Sequence, residues 1–155
     1  MTRVPRAVVV GVVVGLALAL LATGLLSRLS SGGTRHARAP AQRVQVSKAP
    51  GQPAVYTITL AGGGTLQSYA DPGTPGRNQL HFTFFAADGN EQPVGKAEAT
   101  ARPPSGNPVR LKLLRLGAGH FAANADLIPG RWTFAIDAEP RGGPAASASF
   151  EQVIQ

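Results

Sequence analysis

Residues 78–86, Asn78-Gln79-Leu80-His81-Phe82-Thr83-Phe84-Phe85-Ala86, decide the fold. They alternate with period two: Leu80, Phe82 and Phe84 leave one side, His81, Thr83 and Phe85 the other. Successive side chains of an extended chain project to opposite faces, so this pattern predicts a strand with one buried face. Asp88-Gly89-Asn90 closes it with residues that suit a tight turn.

Similar segments flank it. Val55–Leu60 is dense in β-branched and aromatic residues and stops at Gly62-Gly63-Gly64. Thr65–Ala70 follows, ended by Asp71-Pro72-Gly73 and Pro75-Gly76. Lys96–Ala101 reads as a weaker polar strand at a sheet edge. In the next strand Val109, Leu111 and Leu113 oppose Arg110, Lys112 and Leu114. His120–Leu127, Arg131–Ala138 and Ala146–Val153 complete the series, separated by Gly/Pro turns. No segment here sustains a 3.6-residue period. The expectation is an all-β fold, an immunoglobulin-like β-sandwich of seven to eight strands over residues 54–155. A small closed barrel is the alternative. The expected core comprises Tyr56, Ile58, Leu66, Leu80, Phe82, Phe84, Val109, Leu111, Leu113, Phe121, Leu127, Trp132, Phe134, Ile136 and Phe150, with Trp132 at its centre. The chain has no cysteine, so these apolar faces act without a disulfide.

The first third is built differently. After a short basic tail, residues 1–6, Ala7 to Leu26 contains no charged residue. As a helix it would be about 30 Å long, enough to cross a hydrocarbon core. It is read as a single transmembrane signal-anchor, in which Gly11 and Gly15 form a G-x-x-x-G pair. A cleaved secretory signal competes, with Ala22-Thr23-Gly24 at a cleavage-like position, but the apolar run is long and continues through Leu26. Residues 27–53, rich in Ser, Gly, Ala, Pro and Arg, are expected to be a flexible basic linker with a reach of about 26–31 Å.

Charge follows this division. Residues 1–50 hold seven basic residues and no acidic one, whereas residues 51–155 hold eight of each. The high isoelectric point therefore belongs to the membrane-flanking segment, and a nucleic-acid partner is not expected because the folded part is neutral. A Lys/Arg count would place the C-terminal side inside, since Arg28, Arg35, Arg38 and Arg43 outnumber Arg3 and Arg6, but the short basic tail resembles an export signal and large downstream domains translocate largely regardless of charge, so charge alone leaves the orientation open.

Two strings then stand out. The first is Asp71-Pro72-Gly73-Thr74-Pro75-Gly76-Arg77-Asn78-Gln79-Leu80-His81-Phe82-Thr83-Phe84-Phe85 with Asp88-Gly89. The second is Gly119-His120-Phe121 followed by Leu127-Ile128-Pro129-Gly130-Arg131-Trp132-Thr133-Phe134. Together, over residues 64–153, they resemble the YtkA-like domain, which also occurs as the C-terminal extracytoplasmic module of bacterial copper-transport membrane proteins. The resemblance implies an exported β-sandwich linked to copper handling, placed outside the cell membrane. It carries over no ligand set, because the matching positions are turn glycines and core aromatics.

The residues themselves narrow the chemistry. Met1 is the sole methionine and there is no cysteine, which excludes a Cu(I) thioether or thiolate site. For Cu(II) the available groups are His36, His81 and His120, with carboxylates such as Asp71, Asp126 and Asp137. His81 lies opposite Phe82 and Phe84, and His120 shares a face with Asn124 and Asp126. Whether His81 and His120 meet depends on strand order, so they are the weak metal candidates, beside the reading as exposed sheet histidines. No G-x-S-x-G elbow, H-E-x-x-H or phosphate loop is present, and no carboxylate pair suits acid–base work, so no catalytic residue and no resident cofactor is expected. The expected function is a membrane-anchored extracytoplasmic accessory or interaction module with a protein partner in the cell envelope, in copper or envelope homeostasis. The alternative is a direct Cu(II)-binding protein, a chaperone or sensor domain, using His81 and His120.

Overall fold

The structure is a computed structural model that describes residues 42–155. The apolar segment Ala7 to Leu26 and His36 lie outside the described residues. Among the described residues no helix is long and apolar enough to cross a membrane.

Among the described residues, ten strands form two antiparallel sheets. In chain order they are β1 (Val44–Ser47), β2 (Val55–Thr59), β3 (Thr65–Asp71), β4 (Gly76–Phe85), β5 (Val94–Arg102), β6 (Val109–Leu111), β7 (Leu114–Arg115), β8 (His120–Leu127), β9 (Gly130–Pro140) and β10 (Ala146–Ile154). The larger sheet runs β1-β2-β3-β4-β8-β7 and the smaller β10-β9-β5-β6. The two remain separate ladders with free edges, so the closed-barrel alternative does not hold. One apolar cluster fills the space between them, drawing Ile58, Leu66, Phe82, Phe84 and Phe121 from the larger sheet and Ala99, Phe134, Ile136 and Phe150 from the smaller.

Several expectations need correction. The count is ten strands because two short ones, β1 and β7, extend the larger sheet. β1 falls inside the span read as linker, pairing Val44 with Ile58 and Val46 with Tyr56; all four of its residues are exposed, so it lacks the buried face that marks a strand in sequence. β5 is not an edge strand but lies between β9 and β6. Its inward face is Ala99 and Ala101, fully buried yet too small to announce itself as apolar. Finally, the run Val109–Leu114 is split. The chain leaves the smaller sheet after Leu111 and joins the larger one at Leu114, so Leu111 is buried while Val109, assigned to the core, is 54% exposed.

Trp132 is buried, but the largest fully enclosed side chains are Phe82, Phe84 and Phe134. Trp132 stacks on Phe134 and donates its indole N–H to the carbonyl of Ile128 at 2.9 Å, which places it against the β8–β9 turn rather than at the centre. Where β7 meets the smaller sheet, the Arg115 guanidinium donates to the carbonyls of Val94, Gly95 and Ala118 at 2.8–2.9 Å and lies over the Phe121 ring. Gly119 sits there against the Gln92 carbonyl, where a Cβ would come within 2.1 Å, so only glycine fits.

The β3–β4 connection is held by one side chain. Asn78 is 1% exposed. Its Oδ1 accepts the Gly73 N–H at 2.7 Å, and its Nδ2 donates to the carbonyls of Thr74 and Gly76 at 2.8 and 2.9 Å. The amide thus satisfies three backbone groups that the loop leaves unpaired. Replacing Asn78 with Leu strands those groups beside the core, and is expected to cost about 2–3 kcal/mol. Thermal denaturation should show the midpoint lowered by roughly 8–15 °C. Asn78→Asp should not rescue it, because a carboxylate keeps the Gly73 bond but turns an acceptor toward the two carbonyls.

Candidate functional site

The turn that Asn78 holds sets β3 and β4 in a register that pairs Tyr69 with His81. β4 pairs on its other side with β8, placing His81 opposite Ala122 and Thr83 opposite His120. His81 and His120 are therefore diagonal neighbours on the outer face of the larger sheet. Diagonal positions are roughly 7–8 Å apart at the backbone, a span that two imidazoles can bridge. They do: His81 Nδ1 lies 3.0 Å from His120 Nε2. The question left by the sequence, whether the two histidines meet, is answered by β4 and β8 being adjacent.

Two residues that sequence reasoning did not assign to the site complete it. The Tyr69 ring stacks on His81 with centroids 4.5 Å apart and planes 9° from parallel, covering one imidazole face. Ala122, opposite His81, is fully buried yet outside the inter-sheet core. Its methyl leaves the room through which His81 leans toward His120. Tyr69 was legible in principle, since the tight turn after Asp71 makes β3 and β4 a hairpin and sets Tyr69 across from His81. Ala122 carried no such signal.

The surroundings hold His81 neutral. It is only 9% exposed. Burial lowers its pKa below the ordinary histidine value, the facing His120 lowers it further, and the Asp71 carboxylate opposes both. A neutral pair shares one proton along the N–N line; a doubly protonated pair would set two N–H groups against each other.

Copper, the metal implied by the family resemblance, can be tested against these atoms. Two imidazole nitrogens 3.0 Å apart are close enough to reach one metal ion together, and imidazole is a donor that suits Cu(II). His81 and His120 are the residues that would hold such an ion, once the proton between them sits on the far nitrogen of its own ring. Among the described residues no group of three or more His, Cys, Asp or Glu is assembled to hold a metal, so further positions would fall to solvent or another molecule. Asp126 and Asp137 are not brought to this pair: Asp126 pairs with Arg77 at the far end of β8, and Asp137 lies in the smaller sheet, accepting from Ser147.

No family model matches the chain, and no curated protein matches it. Among solved structures, a DUF4785 family protein from Legionella pneumophila is similar over 60% of this chain, at 18% identity and a TM-score of 0.47. The chain spans 28% of that structure's length.

Because the folded His81 has a pKa below its unfolded value of about 6.5, the unfolded chain binds more protons as pH falls. The stability contributed is fully present above that value and declines as pH drops through it toward the folded pKa. Melting temperatures measured from pH 8 to 5 should fall on the acid side, and His81→Gln should flatten that part of the profile. Imidazole NMR titration of His120→Ala should show His81 moved upward yet still below the ordinary value, since burial remains.

Proposed function

We propose that this protein is a membrane-anchored, extracytoplasmic accessory module whose immunoglobulin-like sandwich engages a partner in the cell envelope. The observation that carries this reading is the division of charge. A body with eight basic and eight acidic residues follows an apolar span and a stretch of purely basic ones. Such a distribution suits attachment at an anionic membrane surface, where each nearby Arg contributes about 1 kcal/mol, with a neutral domain standing off it. The resemblance to the YtkA-like domain supports export and a connection to copper or envelope homeostasis, and the paired antiparallel sheets are compatible with it. A phosphatase active only outside the cytoplasm, fused after Gln155, is expected to be active in cells. A silent fusion, with an active one at the N-terminus, would reverse the orientation.

The second reading, direct Cu(II) binding, is favoured by one observation, the 3.0 Å approach of His81 and His120. Imidazole is a suitable donor for Cu(II), and the proton between the two rings would move to the far nitrogen of its own imidazole on binding, with no net release from a neutral pair. Titration of the full chain in lipid nanodiscs with Cu(II), followed by electron paramagnetic resonance, should then show one equivalent bound with nitrogen hyperfine structure. His81→Ala and His120→Ala should each weaken it at least tenfold, and binding should weaken as the pH falls and protons compete for the imidazoles. Binding unchanged by either substitution would refute this reading.

A further inference from the structure

The core-facing row of β10 reads Ala146, Ala148, Phe150, Gln152 and Ile154. All but one of these are apolar. Gln152 is 5% exposed and pairs across the ladder with Trp132, so a carboxamide stands where the pattern calls for an apolar side chain. Buried amides are ordinarily partnered, because taking them out of water unpaired is costly. The Asn78 amide is committed to three backbone groups, whereas the Gln152 amide makes no hydrogen bond to a described residue. Yet no polar side-chain atom of the described residues is sealed from solvent without a partner, so this amide opens onto accessible space.

That space is a cleft of about 720 Å³. Val46 and Tyr56 wall it from the larger sheet and Gln152 and Val153 from the smaller, and Gly73, beside the Gln152 Nε2, belongs to its lining. The volume is that of a small-molecule site. Its charged side chains are Lys48, Asp71, Arg131 and Glu151, two cations and two anions, and the last two are already joined at 2.6 Å. No net charge is left to hold an ion. Burial raises the pKa of the Tyr56 hydroxyl, which keeps that group neutral as well. The described chain enters from the other end of β10, where Gln42 reaches Ser147 and Ser149 and Arg43 accepts the Thr59 N–H.

We infer that this cleft binds a small uncharged molecule, a lactam or a pyrimidine- or purine-type ring, that presents a donor and an acceptor side by side to Gln152. A carboxamide sets an N–H donor next to an acceptor oxygen, and an edge of that kind answers both at once. Glutamine reads the edge of adenine in the same way. A carboxylate or ammonium group in that place would exchange its hydration for one neutral amide and lose by it. An apolar ring that matched the walls but lacked the edge would leave the amide unpaired. The occupant enters between the sheets onto an inward-facing side chain and pairs with no backbone edge. The inference goes beyond both functional readings and depends on neither the histidine pair nor a protein partner.

The test uses the full chain in lipid nanodiscs and ligand-observed NMR with uracil, adenine and pyrrolidone. Dimethyluracil, dimethyladenine and N-methylpyrrolidone keep the ring and lose the donor, and orotate adds a carboxylate to uracil. At least one parent compound should bind, and its N-methylated or ionised counterpart should bind at least tenfold more weakly. Gln152→Leu suits the apolar row, so it should leave the melting midpoint unchanged or raise it while weakening binding at least tenfold. Loss of function with no loss of stability is the signature of a residue kept for a ligand. A lowered midpoint, or a chain that fails to fold, would assign the amide to the structure and overturn the site. Binding indifferent to Gln152→Leu, N-methylated compounds bound as well as their parents, or no compound bound would overturn it too.

Discussion

The amide of Asn78 is the constraint on which the outer face depends. A loop between two long strands can close in several ways, and each one-residue slip turns every side chain to the other face of the sheet. Three hydrogen bonds from one buried side chain select a single closure. That closure sets Tyr69 across from His81, keeps Leu80, Phe82 and Phe84 on the core side, and lets β8 dock with His120 one diagonal away. The core and the histidine pair are thus two results of the same register. The bonds themselves are modest in net energy; their effect comes from what an unmade bond would cost in a site closed to water.

The histidine pair illustrates how a sheet surface acquires chemistry without a pocket. Nothing about either strand is unusual. A small residue at Ala122 and a flat ring at Tyr69 turn two ordinary positions into a pair of nitrogens in contact, one of them shielded from solvent. Shielding makes the neutral form the stable one, and the neutral form is the one that binds metals or shares a proton. The same features also suit a purely structural pair that seals the outer face over Ala122. Proton uptake and metal titration separate these uses, since only a ligand pair couples the two.

Much of the fold was legible because strands with one large apolar face declare themselves. Phe82, Phe84, Phe134 and Ile136 recur at every second position and are buried as their spacing requires. The failures share a cause. β5 presents alanines, β1 presents no buried face, and the Val109–Leu114 run keeps its alternation while the chain changes sheets. In each case burial is decided by what lies across the strand, and period-two patterning says nothing of that. The candidate site was half legible: the faces of His81 and His120 followed from alternation, whereas their meeting required the adjacency of β4 and β8. Gln42 could not have been found at all, since a side-chain amide that bonds across to Ser147 and Ser149 leaves no pattern in the sequence.

The position of β1 has a mechanical consequence. A load entering the body at its N-terminal end is met first by the Gln42 amide on the smaller sheet and then by four paired residues of β1 on the larger. Those residues lie outside the inter-sheet core, so they can peel away while the two-sheet interior remains intact. Gln42 would let go at the outset, baring the β10 edge before any core residue moves.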